Sequence, residues 1–456
     1  MSRTRDVSNV LKQPFTVTLG TSNYRAGVNA GDSIASGGNY NVCVGDEAGT
    51  AITTGDFNTA IGFEALKTED AHGYNTAVGY QALKTQDAGA DAANTAVGYQ
   101  AGLDITTGHS NVLVGASAGA NITDGDYNTF MGSNVGLSVN TGVSNTLMGG
   151  LTGDALTGGN YNVALGQGSL TTDTNGSKAV AIGTFALANQ NFATATDSHN
   201  VVIGYDAGNV ISTGMSNTII GSLAGNALTA SSSNTVVGQN ALGADTLGNN
   251  TTAIGAGALQ AQNFSTASES YNTAVGTYAG ASVTTGDKNT IVGRAAGDAL
   301  TTGNKNVAIG YDALGAGTTY DGNVAIGWEA LKVADNTSGS DGNNVAIGAD
   351  AASAVTSGIR NVLIGVSCAA TLRTGGGNVM LGQGTDVSAA AAENQITIGQ
   401  AIACDQDSQV TIGKASNVIK NEFDTDATWT RSSDVRKKKN IENSTLGLDF
   451  VNDLRT

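Results

Sequence analysis

The stretch Asn58-Thr59-Ala60-Ile61-Gly62 decides the fold, because the chain repeats it from near one end to near the other. Asn200-Val201-Val202-Ile203-Gly204 and Asn323-Val324-Ala325-Ile326-Gly327 are further copies. There are 22 in all, with closing glycines from Gly45 to Gly413. Of the 21 intervals between those glycines, 16 are 17 residues, three are 21, one is 19 and the last is 14. A short fixed period of this kind reads as a solenoid, each repeat a coil that buries its apolar side against its neighbours.

Between the Asn and the Gly, the first residue is Val, Thr or Ile in every copy, and the third is Ile, Val, Leu or Met. These are strand formers spaced two apart. The density of Gly and β-branched residues excludes a helix. The expected fold is all-β, a parallel β-solenoid or β-roll of about 22 coils. With strands stacked about 4.8 Å apart, its length is on the order of 100 Å. Gly and Asn mark the corners, where positive φ or side-chain bonding to backbone is needed. Stacking places Asn58, Asn75, Asn94, Asn200, Asn323 and their equivalents in an amide ladder. Asn opens 18 of the 22 copies, with Ala179, Thr251, Gln395 and Gln409 in the others. Asn without carboxylates beside it is a poor metal ligand, so no metal and no cofactor is expected.

The middle residue of the triplet is apolar almost throughout, from Cys43 and Ala60 to Leu363 and Met380; only Thr397 and Thr411 are polar. If the first and third residues line the coil interior, the middle one faces outward. A strand apolar on both faces is covered on both faces. No helix is available as a cover, so another copy of the chain is the expected one. On this reading Ala60, Phe130, Leu147, Ala325 and Ala346 face partner chains.

The 456 residues include 64 Gly and one Pro, with 13% charged residues and a net charge of −17. The chain is too apolar and too periodic for disorder. Its negative charge makes a nucleic acid an unfavourable partner. Cys43, Cys368 and Cys404 are odd in number and far apart, giving no disulfide framework or metal spacing. Cys43 and Cys368 read as small core residues. His72, His109 and His199 all precede an Asn corner and form no sequence cluster. There is no run long and apolar enough for a membrane helix and no signal-peptide pattern, so no membrane insertion is expected.

In chain order, residues 1–37 read as an N-terminal cap or attachment segment, with a degenerate coil at Phe15-Thr16-Val17-Thr18-Leu19-Gly20. Residues 38–413 form the solenoid. The three 21-residue intervals end 72 residues apart, at Gly204, Gly276 and Gly348, as duplication of a four-coil block would leave them. Their extra residues fall in the polar stretches 189–200, 262–272 and 333–344, expected to bulge as loops where binding residues sit. Aromatic residues often follow the closing glycine. Tyr80, Tyr99, Tyr205, Tyr311 and Trp328 are candidate receptor contacts, able to stack on sugars or to pack on the neighbouring coil. Residues 414–433 read as a connector, and 434–456 carry the basic run Arg436-Lys437-Lys438-Lys439.

The Asn-Thr-Ala-Ile-Gly coil resembles the head repeat of trimeric autotransporter adhesins, the YadA-like β-roll, over about four-fifths of the chain. Most coils here are three residues longer than that family's. The resemblance implies a homotrimer. The tail, Ser433-Asp434-Val435-Arg436-Lys437-Lys438-Lys439-Asn440-Ile441 followed by Leu448-Asp449-Phe450 and Leu454, resembles the start of the endosialidase-type intramolecular chaperone of the peptidase S74 family. Those chaperones end trimeric phage tail fibres and cleave themselves off. The resemblance implies Ser433 as nucleophile, a cut between Ser433 and Asp434, and Lys438 as general base. The 23 residues after Ser433 are too few for the chaperone body, so the tail is expected to stay uncleaved.

A bacteriophage tail fibre, structural and adhesive, accounts for the repeat and the tail together. It would be held to the tail or baseplate through its N-terminus, would meet a host-cell surface receptor such as a polysaccharide, and would assemble in the host cytoplasm. The alternative is a fragment of a bacterial surface adhesin, which needs a signal peptide, stalk and anchor. An enzyme is not expected, because paired carboxylates recur at no special coil. Ice binding would want flat Thr-x-Thr rows, which the irregular Thr-Thr-Gly turns do not supply.

Overall fold

A computed structural model describes residues 20–335 and 341–424, with the backbone of 430 and 431. No described residue is helical. The chain is a parallel β-solenoid of about 23 turns with a period near 17 residues. It divides into two compact units, Met1–Asn304 and Lys305–Thr456.

Each turn up to Val379–Leu381 contributes one three-residue strand and then a run of tight turns, and the last two parallel strands lengthen to Ile396–Gln400 and Gln409–Lys414. Within the first unit the strands pair in parallel, each residue opposite its equivalent one repeat away: Thr59 on Thr76, Ala60 on Ala77, Ile61 on Val78. The second unit repeats the pattern, with Ala325 on Ala346. It ends differently. Gln409–Lys414 pairs antiparallel with Asn417–Glu422, which pairs antiparallel with Thr430–Arg431. Two smaller parallel pairs lie beside the main ladder, Gly176–Ser177 with Thr196–Asp197 and Gly248–Asn249 with Ser268–Glu269.

The coils stack so closely that the closing corner admits only glycine. Gly62 has φ +133°, and a Cβ there would lie 2.3 Å from the carbonyl oxygen of Gly79. The Asn corner works otherwise than expected. The left-handed residue is the one before it, such as Tyr40, Phe57 or Tyr74, and the Asn itself is not among the residues with positive φ.

Three expectations are corrected. The solenoid starts before residue 38: Tyr24–Ala26 is a full strand paired with Val42–Val44, and Asn23 acts as its corner. Arg25 in the middle position hid this coil from a search for apolar triplets. The Phe15–Leu19 stretch lies outside the described residues. The second correction concerns orientation. Middle residues point into their own coil, and Ala60, Phe130, Leu147, Ala325 and Ala346 are completely buried in the single chain. First and third residues look outward: Ile61 is 38% exposed, Met131 44% and Leu381 47%. A 17-residue coil has a narrow interior, and the single middle side chain fits it where a pair of β-branched ones would not. Third, the stretches 189–200 and 262–272 do not stand free. Phe192 and Phe264 are buried, and their loops carry the two-residue strands above.

The core also relies on positions four and seven residues after the closing glycine, which are filled reciprocally. Where the first is Gly49, Gly102 or Gly119, the second is Ile52, Ile105 or Ile122, and the Ile Cδ1 fills the space over the glycine. Where the first is Leu66, Leu83, Leu170, Leu187, Leu242 or Leu259, the second is Glu69, Gln86, Asp173, Gln190, Asp245 or Gln262. These six leucines have φ between 49° and 54°. A left-handed Leu costs about 1–2 kcal/mol; burying its side chain returns about 1.5–3 kcal/mol.

Candidate functional site

The polar interior of the coils is the first candidate. The side-chain amide of a corner Asn ties its own coil to the next one. The Oδ1 of Asn58 accepts from the backbone N–H of Asn75 at 3.1 Å, and its Nδ2 donates to the carbonyl of His72 at 3.0 Å. Asn94 donates to Gly108, and Asn200 to Gly214, each fourteen residues on. In the second unit Asn344 N–H donates to Asn323 Oδ1 at 3.1 Å. All these amides are fully buried. Their chemistry is structural, since apart from the Asn75 Nδ2 their donors and acceptors satisfy protein backbone or another amide.

Two of the exceptions to Asn, Ala179 and Thr251, precede the lengthened coils that end at Gly204 and Gly276, whereas Asn323, before the coil that ends at Gly348, keeps its amide and donates to the carbonyl of Asp321 at 3.1 Å. Asn75 precedes the 19-residue coil and keeps its amide. Its Nδ2 is the one buried side-chain polar atom without a partner among the described residues. Gln395, before the 14-residue interval, turns instead to Asp407 Oδ1 at 3.0 Å.

At the same places an acid enters the core. Asp173 and Asp245 are completely buried. Asp173 accepts from Gln190 Nε2 at 2.6 Å and from the backbone N–H of Gly176 and Phe192. Gln190 Oε1 in turn accepts from Asn200 Nδ2 at 2.8 Å. Asp245, Gln262 and Asn272 repeat the relay 72 residues on, and Glu69, Gln86 and Asn94 form a third. Burial pushes the carboxyls of Asp173 and Asp245 up, against the opposing hydrogen bonds from Gln190 or Gln262 and from backbone. In the second unit Gly317 and Ala334 hold the equivalent positions, and the buried Tyr320 fills the site, its hydroxyl accepting from Asn344 Nδ2 at 3.2 Å. Sequence reading missed these relays; the acid–Gln pair one repeat apart, each behind a Leu, was their signal.

The aromatic candidates do not form one row. Phe63, Tyr80 and Tyr99 stack on one another, with centroids 5.5 and 5.2 Å apart. Tyr311 and Trp328 are tilted at 6.5 Å, and Tyr205 is 54% exposed with no ring contact. A second stack, Tyr40, Phe57 and Tyr74, occupies the left-handed corner. Rings stacked along the coil axis cover each other's faces, so little face remains for a sugar.

Glu69, Asp70, His72 and Asp87 bring one ligand atom each to within 4.8 Å of one another, a grouping the sequence did not suggest because it spans two coils. The buried Glu69 is already bonded to Gln86 and to His72 Nδ1. Cys43 and Cys368 are buried, with thiols pushed up to about 11 by desolvation, which keeps them protonated and unreactive. Ser433 and Lys438 lie outside the described residues. Among the described residues no helix is long and apolar enough to cross a membrane.

No protein-family model matches the sequence, and neither does any curated protein.

Proposed function

We propose that this chain is the structural and adhesive fibre of a bacteriophage virion, a tail fibre assembled as a homotrimer. The observation that carries this reading is the outer face of the strand ladder. Third-position side chains are Val, Ile, Leu or Met at every repeat from Val44 onward, and nothing among the described residues covers them. The face persists past the last coil, where Ile412 pairs with Ile419, 38% and 43% exposed. An apolar stripe of this extent exceeds what a soluble monomer usually carries. A partner that matches it coil for coil needs the same repeat, and a second copy of the chain has it. Three-fold symmetry and the virion come from the two family resemblances. On this reading the chain is not an enzyme, joins the tail or baseplate through its N-terminus, and meets a receptor on the host surface.

Two measurements test this. Mass spectrometry of purified particles of a phage encoding the chain is expected to find it in the virion. Light scattering is expected to give about three times the 45.4 kDa of one chain. Met131→Lys together with Ile220→Lys places two charges on the outer face and is expected to leave β-structure by circular dichroism but stop assembly. A monomeric wild type, or an unimpaired trimer of the variant, would show the face has another use.

A further inference from the structure

We infer that a polar groove on the first unit is a binding site for a neutral carbohydrate chain. The inference rests on the proposed role in host attachment and moves the contact away from the aromatic rings. The groove measures about 620 Å³, within the usual range for small-ligand sites. Asp104, Asn121, Ser138, Asn140, Thr141 and Thr157 line it, with Thr123, Gly158 and Asn175 completing the wall. It crosses the uninterrupted run of 17-residue coils between Gly98 and Gly183, the longest in the chain. A lengthened coil, Gly79 to Gly98 on one side and Gly183 to Gly204 on the other, bounds that run.

The groove floor uses the coil-to-coil bonds found along the same row elsewhere. Thr157, like Thr229, Thr284 and Thr356, spends its hydroxyl on the carbonyl of the next coil. Thr123 donates to Asn140 Oδ1 at 2.7 Å, as Thr246 does to Asn263 Oδ1, and this turns the Asn140 amide nitrogen to the open side. Among the described residues the side chains of Asn121, Ser138 and Thr141 have no hydrogen-bond partner. Amides and hydroxyls with unused donors and acceptors, in rows repeated every coil, suit the vicinal hydroxyls of a sugar chain lying across them. No basic residue lines the groove and Asp104 adds a negative charge, which disfavours an acidic polymer. No apolar side chain lines it, which disfavours a peptide with hydrophobic anchors.

Titration calorimetry of the intact chain against neutral hexa- to octasaccharides (glucans, galactans, mannans), with an oligogalacturonate as the acidic comparison, tests this. At least one neutral chain is expected to bind. Asn121→Ala with Asn140→Ala is expected to weaken it by about tenfold or more. Ser138→Trp, which fills the groove, is expected to abolish it. Ser282→Ala with Thr284→Ala, in the same rows outside the groove, is expected to change nothing. Binding that survives the groove variants, binding of the acidic chain alone, or no neutral binding by wild type each overturns the groove. The fibre reading would still stand or fall on the particle and light-scattering measurements.

Discussion

The coil from Gly98 to Val114 and the coil from Gly166 to Ile182 have the same length and opposite interiors. In the first, Gly102 makes room and Ile105 fills it. In the second, Leu170 fills the space from the other side, and Asp173 takes the place of the isoleucine. The first kind stacks on itself for coil after coil. The second comes in pairs, and the second member of each pair is a lengthened coil, ending at Gly98, Gly204, Gly276 or Gly348. The difference teaches how a narrow solenoid admits an insertion. Apolar volume moves three residues back within the coil, and the vacated position carries polar groups that tie down the longer loop. Asp173 holds Phe192 N–H in this way, and Asp245 holds Phe264 N–H.

The sharpest way to break this contrast is to put the wrong filler in one coil. Gly102→Leu would set a Cβ 2.8 Å from Leu113 Cδ1 and 3.0 Å from Ile105 Cδ1, at φ +59°. Overpacking and left-handed strain together are expected to cost roughly 3–5 kcal/mol. Adding Ile105→Ala, the arrangement of Leu331 with Ala334, is expected to recover at least half. Repeat proteins unfold piecemeal, so native-state hydrogen exchange around Gly102 is the appropriate readout. Additive costs would show that the two positions do not share one space.

A smaller effect separates the two kinds of corner. Asn58→Ala strips the Asn75 N–H and the His72 carbonyl of partners and is expected to cost about 1–3 kcal/mol. Asn75→Ala removes an amide whose nitrogen is already unpartnered and strips only the Asn94 N–H, so it is expected to cost less than Asn58→Ala, about 1 kcal/mol. Equal losses by the same exchange measurement would mean the lengthened coil does not relieve the ladder.

The smallest effect is on pH dependence. The folded-state carboxyls of Asp173 and Asp245 lie above the ordinary value of 3.8, so the folded chain holds their protons longer. Their contribution is full below that ordinary value and is lost as pH rises through the folded value. Asp173→Asn with Asp245→Asn is expected to flatten this decline in denaturation midpoints measured upward from about pH 4. It also sets Asn amides against Gln190 and Gln262, lowering the midpoint at every pH. An unchanged slope would assign the decline to other carboxylates.

Much of this was legible along the chain. The repeat from Gly45 to Gly413 determined a parallel solenoid and its register, because only strands stacked one coil apart satisfy so constant a spacing. Glycine at the corners and an amide ladder followed from residue type. The reciprocal Leu66–Glu69 and Gly102–Ile105 pattern was also present in the sequence, though it becomes readable only once positions four and seven are known to share one interior space.

The inward face of the triplet could not be read from alternation, because Val324, Ala325 and Ile326 are all apolar; only the volume inside a closed coil selects Ala325. Arg25 masked the first coil for the opposite reason, a charged side chain held at a middle position by Asp32 and the Ala30 carbonyl. Stacking decided that Phe63, Tyr80 and Tyr99 cover one another, and that side chains from successive coils meet in one groove. Sequence determined the period because the period is local; tertiary structure decided the faces because a face exists only once the coil has closed.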